Sequence, residues 1–381
     1  MGVKSKVKFW LRQFPFVFPK AVISSCGDWI TSQKNKKGVY FGQRGPWFKT
    51  IFPEGFFQHN APKTLGKPNE NAFYNNRNYP TEKATLFYLQ NTYLLGHKGL
   101  VLTADHRVFQ EFSHHFGISS LKKFLWQRPF YIFTRNAKRI EGTGAVLVSP
   151  ESHNYYHWLN DVLPRIKIYG PVLDQIDHFC ISSKVPQKFL DILSDFGIGK
   201  QKILLINDNE KLHFDHLYVA SLPGSEGRSP QCAIDFLREK LIKTTPQANP
   251  SRKIYFKRGD NAERKVINES AVIRLLETNG FEIITPDELS ICEQVALVLQ
   301  SKIIIGVHGA ALSNLLFSQE KTSVIEIFSP DYFRTDCYYT LSLALNLNYF
   351  YIVGYKPHGA NWGDVVVPEE LLLKTIEQIV G

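Results

Sequence analysis

The sequence predicts an α/β fold built as two Rossmann-like domains facing a cleft. Three observations carry that prediction. From about residue 84 onward, short apolar runs alternate with helical segments, the pattern of βαβ units on a parallel sheet. One run, Ile303-Ile-Ile305, is apolar at every position, as a strand covered on both faces requires. The 381 residues suffice for two domains.

Residues 1–80 scatter Pro, Gly, Asn and aromatic side chains without a period and read as an N-terminal extension of loops and short strands. A first domain is expected over 81–245. Its strands are expected at 84–89, 99–102, 145–148, 202–206 and 216–220, and its helices at 107–116, 154–169, 186–196 and 232–244. The polar, Pro-containing connector 245–252 marks the boundary. The second domain, 246–355, alternates more regularly. Strands are expected at 253–256, 281–284, 302–307, 323–328 and 349–353, and helices at 269–279, 290–300, 310–317 and 338–345. Gly280 is placed to stop one helix, and Ser290 with Glu293 has the spacing of a capping box at the start of the next. The last segment, 356–381, carries a helix at 368–379 that is expected to pack back on the first domain.

Composition narrows the function. With 44% hydrophobic and 21% charged residues, the chain is neither disordered nor fibrous. Its five cysteines are odd in number and widely spaced, with no C-x-x-C, which argues against a disulfide framework or a cysteine zinc site and for a reduced, cytoplasmic setting. The formal net charge is +10. Lys4, Lys6, Lys8, Arg12 and Lys20 alternate with Trp10, Leu11, Phe14, Phe16 and Phe18, and residues 121–130 have the same character. Such mixtures suit an anionic membrane surface, although half-buried basic segments would look alike. A cytoplasmic protein touching the inner face of the plasma membrane is the expectation. No basic-aromatic recognition motif accompanies the charge, so no nucleic-acid partner is expected.

Three segments carry chemistry. In Gly306-Val-His-Gly-Ala-Ala-Leu-Ser-Asn-Leu-Leu316 a buried strand ends and a helix begins near Ala310. Ligands of open α/β sheets bind at the carboxyl ends of strands, and a helix N-terminus suits a phosphate. His308 can donate to a phosphate or ribose oxygen, and Gly309 allows close approach. An ordinary βα turn with two packing glycines explains the same residues. Lys257-Arg-Gly-Asp-Asn-Ala-Glu-Arg-Lys265 also follows a strand, and Arg258 with Arg264 can clamp a diphosphate in place of a metal. In His153-Asn-Tyr-Tyr-His-Trp-Leu-Asn-Asp161, the residues His153, His157 and Asp161 recur every four positions. Asp161 or His157 can take a proton from an acceptor hydroxyl. Two histidines and a carboxylate can also hold zinc, which would make the chain a metal-dependent hydrolase.

Taken together, these segments resemble glycosyltransferase family 61. The matching stretches are Asn154-Tyr-Tyr-His-Trp-Leu-Asn-Asp-Val-Leu-Pro-Arg165, Ile254-Tyr-Phe-Lys-Arg258 with Arg264-Lys-Val-Ile-Asn268, and Gly306 through Phe317 on to Val324-Ile-Glu-Ile-Phe328. The capsular-polysaccharide-type bacterial members are the nearest in character. The resemblance implies a GT-B-like fold and an inverting, metal-independent transfer from a nucleotide sugar, UDP-linked by expectation, with no other cofactor. The acceptor would be a glycan or a lipid-linked glycan in capsule, lipopolysaccharide or exopolysaccharide synthesis. It implies donor contacts by Arg258, Arg264, His308, Gly309, Ala310, Asn314 and Glu326. Catalysis would fall to Asp161 with His157, and the acceptor side to His153, Asn154 and Tyr156. Ala311 stands where the family often has a second glycine. A sugar-nucleotide binder without turnover is the remaining alternative.

Overall fold

The computed structural model describes residues 22–37, 45–58, 62–67, 78–81, 83–112, 136–149, 151–208, 210–224, 228–243, 249–258, 264–333 and 336–381. They form two compact units. The first takes the described residues of Met1–Glu54 and Glu82–Pro223, and the second those of Gly55–Thr81 and Gly224–Gly381. The basic stretches at 4–20 and 121–130 lie outside the described residues.

In chain order the strands are β1 (Val22–Ile23), β2 (Trp47–Phe52), β3 (Gly55–Gln58), β4 (Asn78–Thr81), β5 (Ala84–Leu95), β6 (Leu100–Leu102), β7 (Val108–Phe109) and β8 (Lys138–Val146). They continue as β9 (His178–Ser182), β10 (Ile203–Ile206), β11 (Lys211–Ala220), β12 (Arg252–Phe256), β13 (Glu282–Ile284), β14 (Ser301–Val307), β15 (Ser323–Phe328) and β16 (Asn348–Val353). The α-helices are α1 (Cys26–Lys37), α2 (Tyr155–His157), α3 (Arg165–Tyr169), α4 (Gln187–Leu190), α5 (Gln231–Ile242), α6 (Glu269–Thr278), α7 (Ile291–Leu299), α8 (Cys337–Ala344) and α9 (Glu369–Val380).

The first unit holds a mixed nine-stranded sheet in the order β1-β7-β6-β5-β11-β8-β9-β10, with β2 on β5. From β11 through β8 and β9 to β10 the strands run parallel, whereas β5 is antiparallel to β2, β6 and β11. Only part of this sheet is therefore the parallel Rossmann-like pattern expected from the alternation. The reason is local. The β5–β6 connection is a tight turn with Gly96 and Gly99 at positive φ, and so short a turn joins only antiparallel neighbours. Residues 108–109, expected to be helical, pair with β1 and β6 instead, because Val108 and Phe109 fill the core from a strand. The expected helix at 186–196 is α4 followed by a 3-10 turn, Asp191–Phe196, that Gly197 ends at φ 81°. Strand β9 was not anticipated, its short run lying between polar turns.

The second unit holds a five-stranded, wholly parallel sheet in the order β13-β12-β14-β15-β16. Counted within this sheet, the strands take the doubly wound order 2-1-3-4-5, in which ligands bind where the order reverses. The reversal falls between β12 and β14. Ile305, Ile325, Ile327 and Ile352 stack in its core with Tyr255. Helix α6 contributes Val272 and Leu276, and α9 contributes Leu372 and Ile376. The apolar face of α9 is thus used within its own unit, against α6 and β16. The predicted capping box is formed: the Glu293 N–H donates to Ser290 Oγ, and the Ser290 N–H donates to the Glu293 carboxylate. Gly280 takes φ 77° as the stop after α6. No helix among the described residues is long and apolar enough to cross a membrane.

Candidate active site

Strands β12 and β14 end side by side at the switch point, and the second unit's chemistry gathers there. Val307 leads into His308 and Gly309, and Phe256 leads into Lys257 and Arg258. Arg258 donates from Nη2 to the His308 carbonyl, tying the two strand ends together. Gly309 makes room for this bond: a Cβ there would stand 2.6 Å from Arg258 Nη2. Its φ of 171° is extended backbone open to any residue, so space and not conformation demands glycine. Arg258 is largely buried, and burial first, then the neighbouring Arg264, pulls its guanidinium down to about 10, so it remains cationic at neutral pH. Its Nε is buried without a hydrogen-bond partner among the described residues. A buried cation with an unused donor is costly unless an anion completes it. Arg264 lies with its guanidinium over the Tyr332 ring, 4.5 Å from the centroid.

His308 is held by a network the sequence did not reveal. Its Nδ1 is 2.5 Å from Glu326 Oε1, and the Tyr349 hydroxyl donates to Glu326 Oε2 over 2.5 Å. Burial and the facing Glu326 push the Tyr349 phenol well up, which keeps it a donor. The Glu326 carboxylate thus holds both the imidazole Nδ1 and the Tyr349 hydroxyl, which fixes the orientation of the His308 ring. The rings of Phe328, Tyr332 and Tyr338 surround the imidazole at 5.1–5.3 Å. Glu326 rested on family resemblance alone. Tyr332, Tyr338 and Tyr349 were missed, their only signal being the aromatic density after β15.

The helix expected after Gly309 is present over Ala310–Phe317 and is of the 3-10 type. It is fixed along its length. The Tyr338 hydroxyl donates to the Gly309 carbonyl at 2.7 Å. Arg238 donates to the carbonyls of Leu316 and Ser318 at the far end. Asn314 is fully buried and gives its amide to Gln294 Oε1 and the Ala311 carbonyl. Asn314 therefore anchors this wall to α7, with its amide spent on protein partners. Ala310 stands at the opening of the turn, where such helices leave N–H groups unpaired within the turn.

The first unit carries the other constellation. The expected helix 154–169 is not continuous. Asn154 caps α2 by accepting the Tyr156 N–H at 2.9 Å. The chain then widens into a π-turn, Trp158–Val162, with the Leu163 N–H reaching the Trp158 carbonyl, before α3 begins after Pro164. Proline lacks the N–H and its ring collides with the carbonyl four residues back in an α-helix, which the widened turn relieves. In this turn His157 Nδ1 sits 2.6 Å from Asp161 Oδ2, both partly open to solvent. Beneath them Arg165 is buried and donates to the Val148 carbonyl. Burial pulls its guanidinium down, and the charges of Tyr169 and Asp161 offset part of that. His153 turns away to Glu151 at 3.7 Å, and Asn160 donates to the Tyr156 carbonyl. Among the described residues no group of three His, Cys, Asp or Glu is placed to hold a metal ion, so His153, His157 and Asp161 do not converge as a ligand set.

Residues 155–325 match the family model described as Glycosyltransferase 61. The matched range contains His157, Asp161, Arg258, Arg264 and His308, and it ends one residue before Glu326. The chain is also similar to the "EGF domain-specific O-linked N-acetylglucosamine transferase" of Rattus norvegicus, 33% identical over 99 residues, which are 25% of this chain and 18% of that protein. The protein of the same description from Mus musculus matches at 33% over 99 residues, with the same shares. That from Pan troglodytes matches at 31% over 91 residues, 23% of this chain and 17% of its own. The aligned stretch thus spans less than a fifth of these curated relatives.

Proposed function

We propose that this protein is a glycosyltransferase that moves a sugar from a nucleotide-sugar donor to a hydroxyl of a glycan or lipid-linked acceptor. The observation that carries the reading is the gathering of Arg258, Arg264 and His308 at the switch point of the second unit's parallel sheet, inside the stretch that matches Glycosyltransferase 61. An undercompensated buried guanidinium, a second guanidinium beside it and an imidazole held in one orientation by Glu326 are the kind of groups a diphosphate needs.

The reaction is a single displacement with inversion. The acceptor oxygen bonds to the anomeric carbon as the bond from that carbon to the diphosphate oxygen breaks, and the electron pair leaves on the diphosphate. Arg258 and Arg264 neutralise the developing charge, the work a metal ion does elsewhere. Asp161 takes the hydroxyl proton, with His157 orienting its carboxylate. His153, Asn154 and Tyr156 form the acceptor-side surface. The five free cysteines and the basic-aromatic segments at 4–20 and 121–130 favour a cytoplasmic site at the inner face of the plasma membrane, in capsule, lipopolysaccharide or exopolysaccharide assembly. The relatives' description supplies a second reading of sugar and acceptor, N-acetylglucosamine on a folded protein domain.

The test is release of nucleoside diphosphate from a panel of nucleotide sugars, with glycan, lipid-linked and EGF-domain acceptors, in the presence and absence of EDTA. Acceptor-dependent release that survives EDTA supports the reading. Release abolished by EDTA overturns the metal-independent step, and no release with any donor overturns the transferase.

A further inference from the structure

Trp362 is the feature of the second unit that the donor chemistry above leaves unused. The residue is 59% exposed, although it stands in a loop that is tied down on both sides. Buried Asp364 accepts the backbone N–H of Lys265 at 2.8 Å and that of Asn361 at 3.0 Å. Asp331 accepts the Gly363 N–H at 3.1 Å and the Lys356 ammonium at 2.7 Å. Gly363 takes φ 81°, and a Cβ there would stand 2.5 Å from Arg264 Cγ, so the loop is pressed on the stem of that arginine. The indole meets Tyr332 edge-on, with centroids 5.2 Å apart, and Tyr332 in turn touches His308 and carries the Arg264 guanidinium.

We infer that Trp362, braced by Tyr332, is the stacking wall for the base of the nucleoside diphosphate bound at Arg258, Arg264 and His308. The inference rests on the donor reading above and adds the residue that selects for a nucleoside. A rigid loop that holds a large apolar ring in water pays a standing cost in exposed area, which a planar ligand relieves. Because the loop is already fixed, little ordering entropy opposes stacking. The indole is separated from the Arg264 guanidinium only by the Tyr332 ring, which puts it within the span of a base joined to a diphosphate held by the two arginines. Stacking tolerates any base, and so Trp362 sets the preference for a nucleoside over bare diphosphate without choosing among bases.

The test is calorimetric titration of the full chain with uridine 5′-diphosphate, guanosine 5′-diphosphate, the matching uridine nucleotide sugar and inorganic pyrophosphate. Wild type is compared with Trp362→Ala, Trp362→Phe and Arg258→Ala, and thermal melts confirm equal folding. The expected result is that Trp362→Ala weakens the tighter nucleoside diphosphate by about tenfold or more, leaves pyrophosphate unchanged, and is largely rescued by phenylalanine. Arg258→Ala weakens pyrophosphate and nucleoside diphosphate alike. Unchanged nucleoside diphosphate affinity in Trp362→Ala overturns the stacking wall while the arginine result upholds the donor site. Loss confined to the nucleotide sugar makes Trp362 a sugar contact and overturns it too. Wild-type protein that binds none of the four overturns the donor reading and this inference with it.

Discussion

The two units each present a histidine paired with a carboxylate, and the pairs differ in everything except the bond. His308 and Glu326 stand 2.5 Å apart with side chains 8% and 1% exposed, and both carboxyl oxygens are engaged. His157, the last residue of α2, and Asp161, on the π-turn that follows, stand 2.6 Å apart, with side chains 26% and 15% exposed. A pair sealed in aromatic rings fixes a ring orientation, and it suits binding. A pair that reaches solvent on an irregular turn can exchange a proton with a ligand, and it suits acid–base work. A histidine with a carboxylate partner, Glu326 in one unit and Asp161 in the other, is thus given different surroundings by burial and by the element that carries it.

The contrast is broken most severely at the open pair. Asp161→Asn keeps the shape and removes the basic oxygen, so the transfer rate is expected to fall roughly 10²- to 10⁴-fold while nucleoside diphosphate affinity is kept. Steady-state rates beside a titration check this, and a normal rate removes Asp161 from the chemistry. At the sealed pair the expected loss is of folding. Glu326→Ala strands His308 and the Tyr349 hydroxyl in the core and should cost about 3–5 kcal/mol in denaturant unfolding. A loss below about 1 kcal/mol would mean that the buried network is not what fixes His308.

Smaller changes sharpen the contrast. Gly309→Ala places a methyl against Arg258 Nη2, and displacing that cation should weaken nucleoside diphosphate binding roughly tenfold with unfolding little changed. Equal affinity by titration would show that Arg258 is free to shift. Ser290→Ala removes the cap of α7, on which Asn314 and the 310–317 turn lean, and should cost about 1 kcal/mol of stability without altering transfer rate. A large loss of activity there would mean that the turn is tuned through α7.

What was legible in the sequence follows the same division. Along the second unit's parallel sheet, strands and helices alternate, so periodicity, Gly280 and the Ser290–Glu293 box located them to within a residue or two. In the first unit, hairpin pairing overrode local pattern at residues 108–109, and Pro164 turned an expected helix into a π-turn, an effect that side-chain spacing does not carry. At the sites, Arg258, His308, His157 and Asp161 stood in motifs beside predicted strand ends or a helix start. Tyr332, Tyr338 and Tyr349 did not, because their roles arise from contacts between residues far apart in sequence. Asn314 reads as a ligand contact in a motif, yet its amide is consumed by Gln294.

Diphosphate binding through Arg258 at the end of β12 is read by calorimetric titration of nucleoside diphosphates into the wild-type chain and into Arg258→Ala. Binding by the wild type, weakened about tenfold or more in the variant, is the predicted result. Equal affinity in both proteins would contradict binding through Arg258.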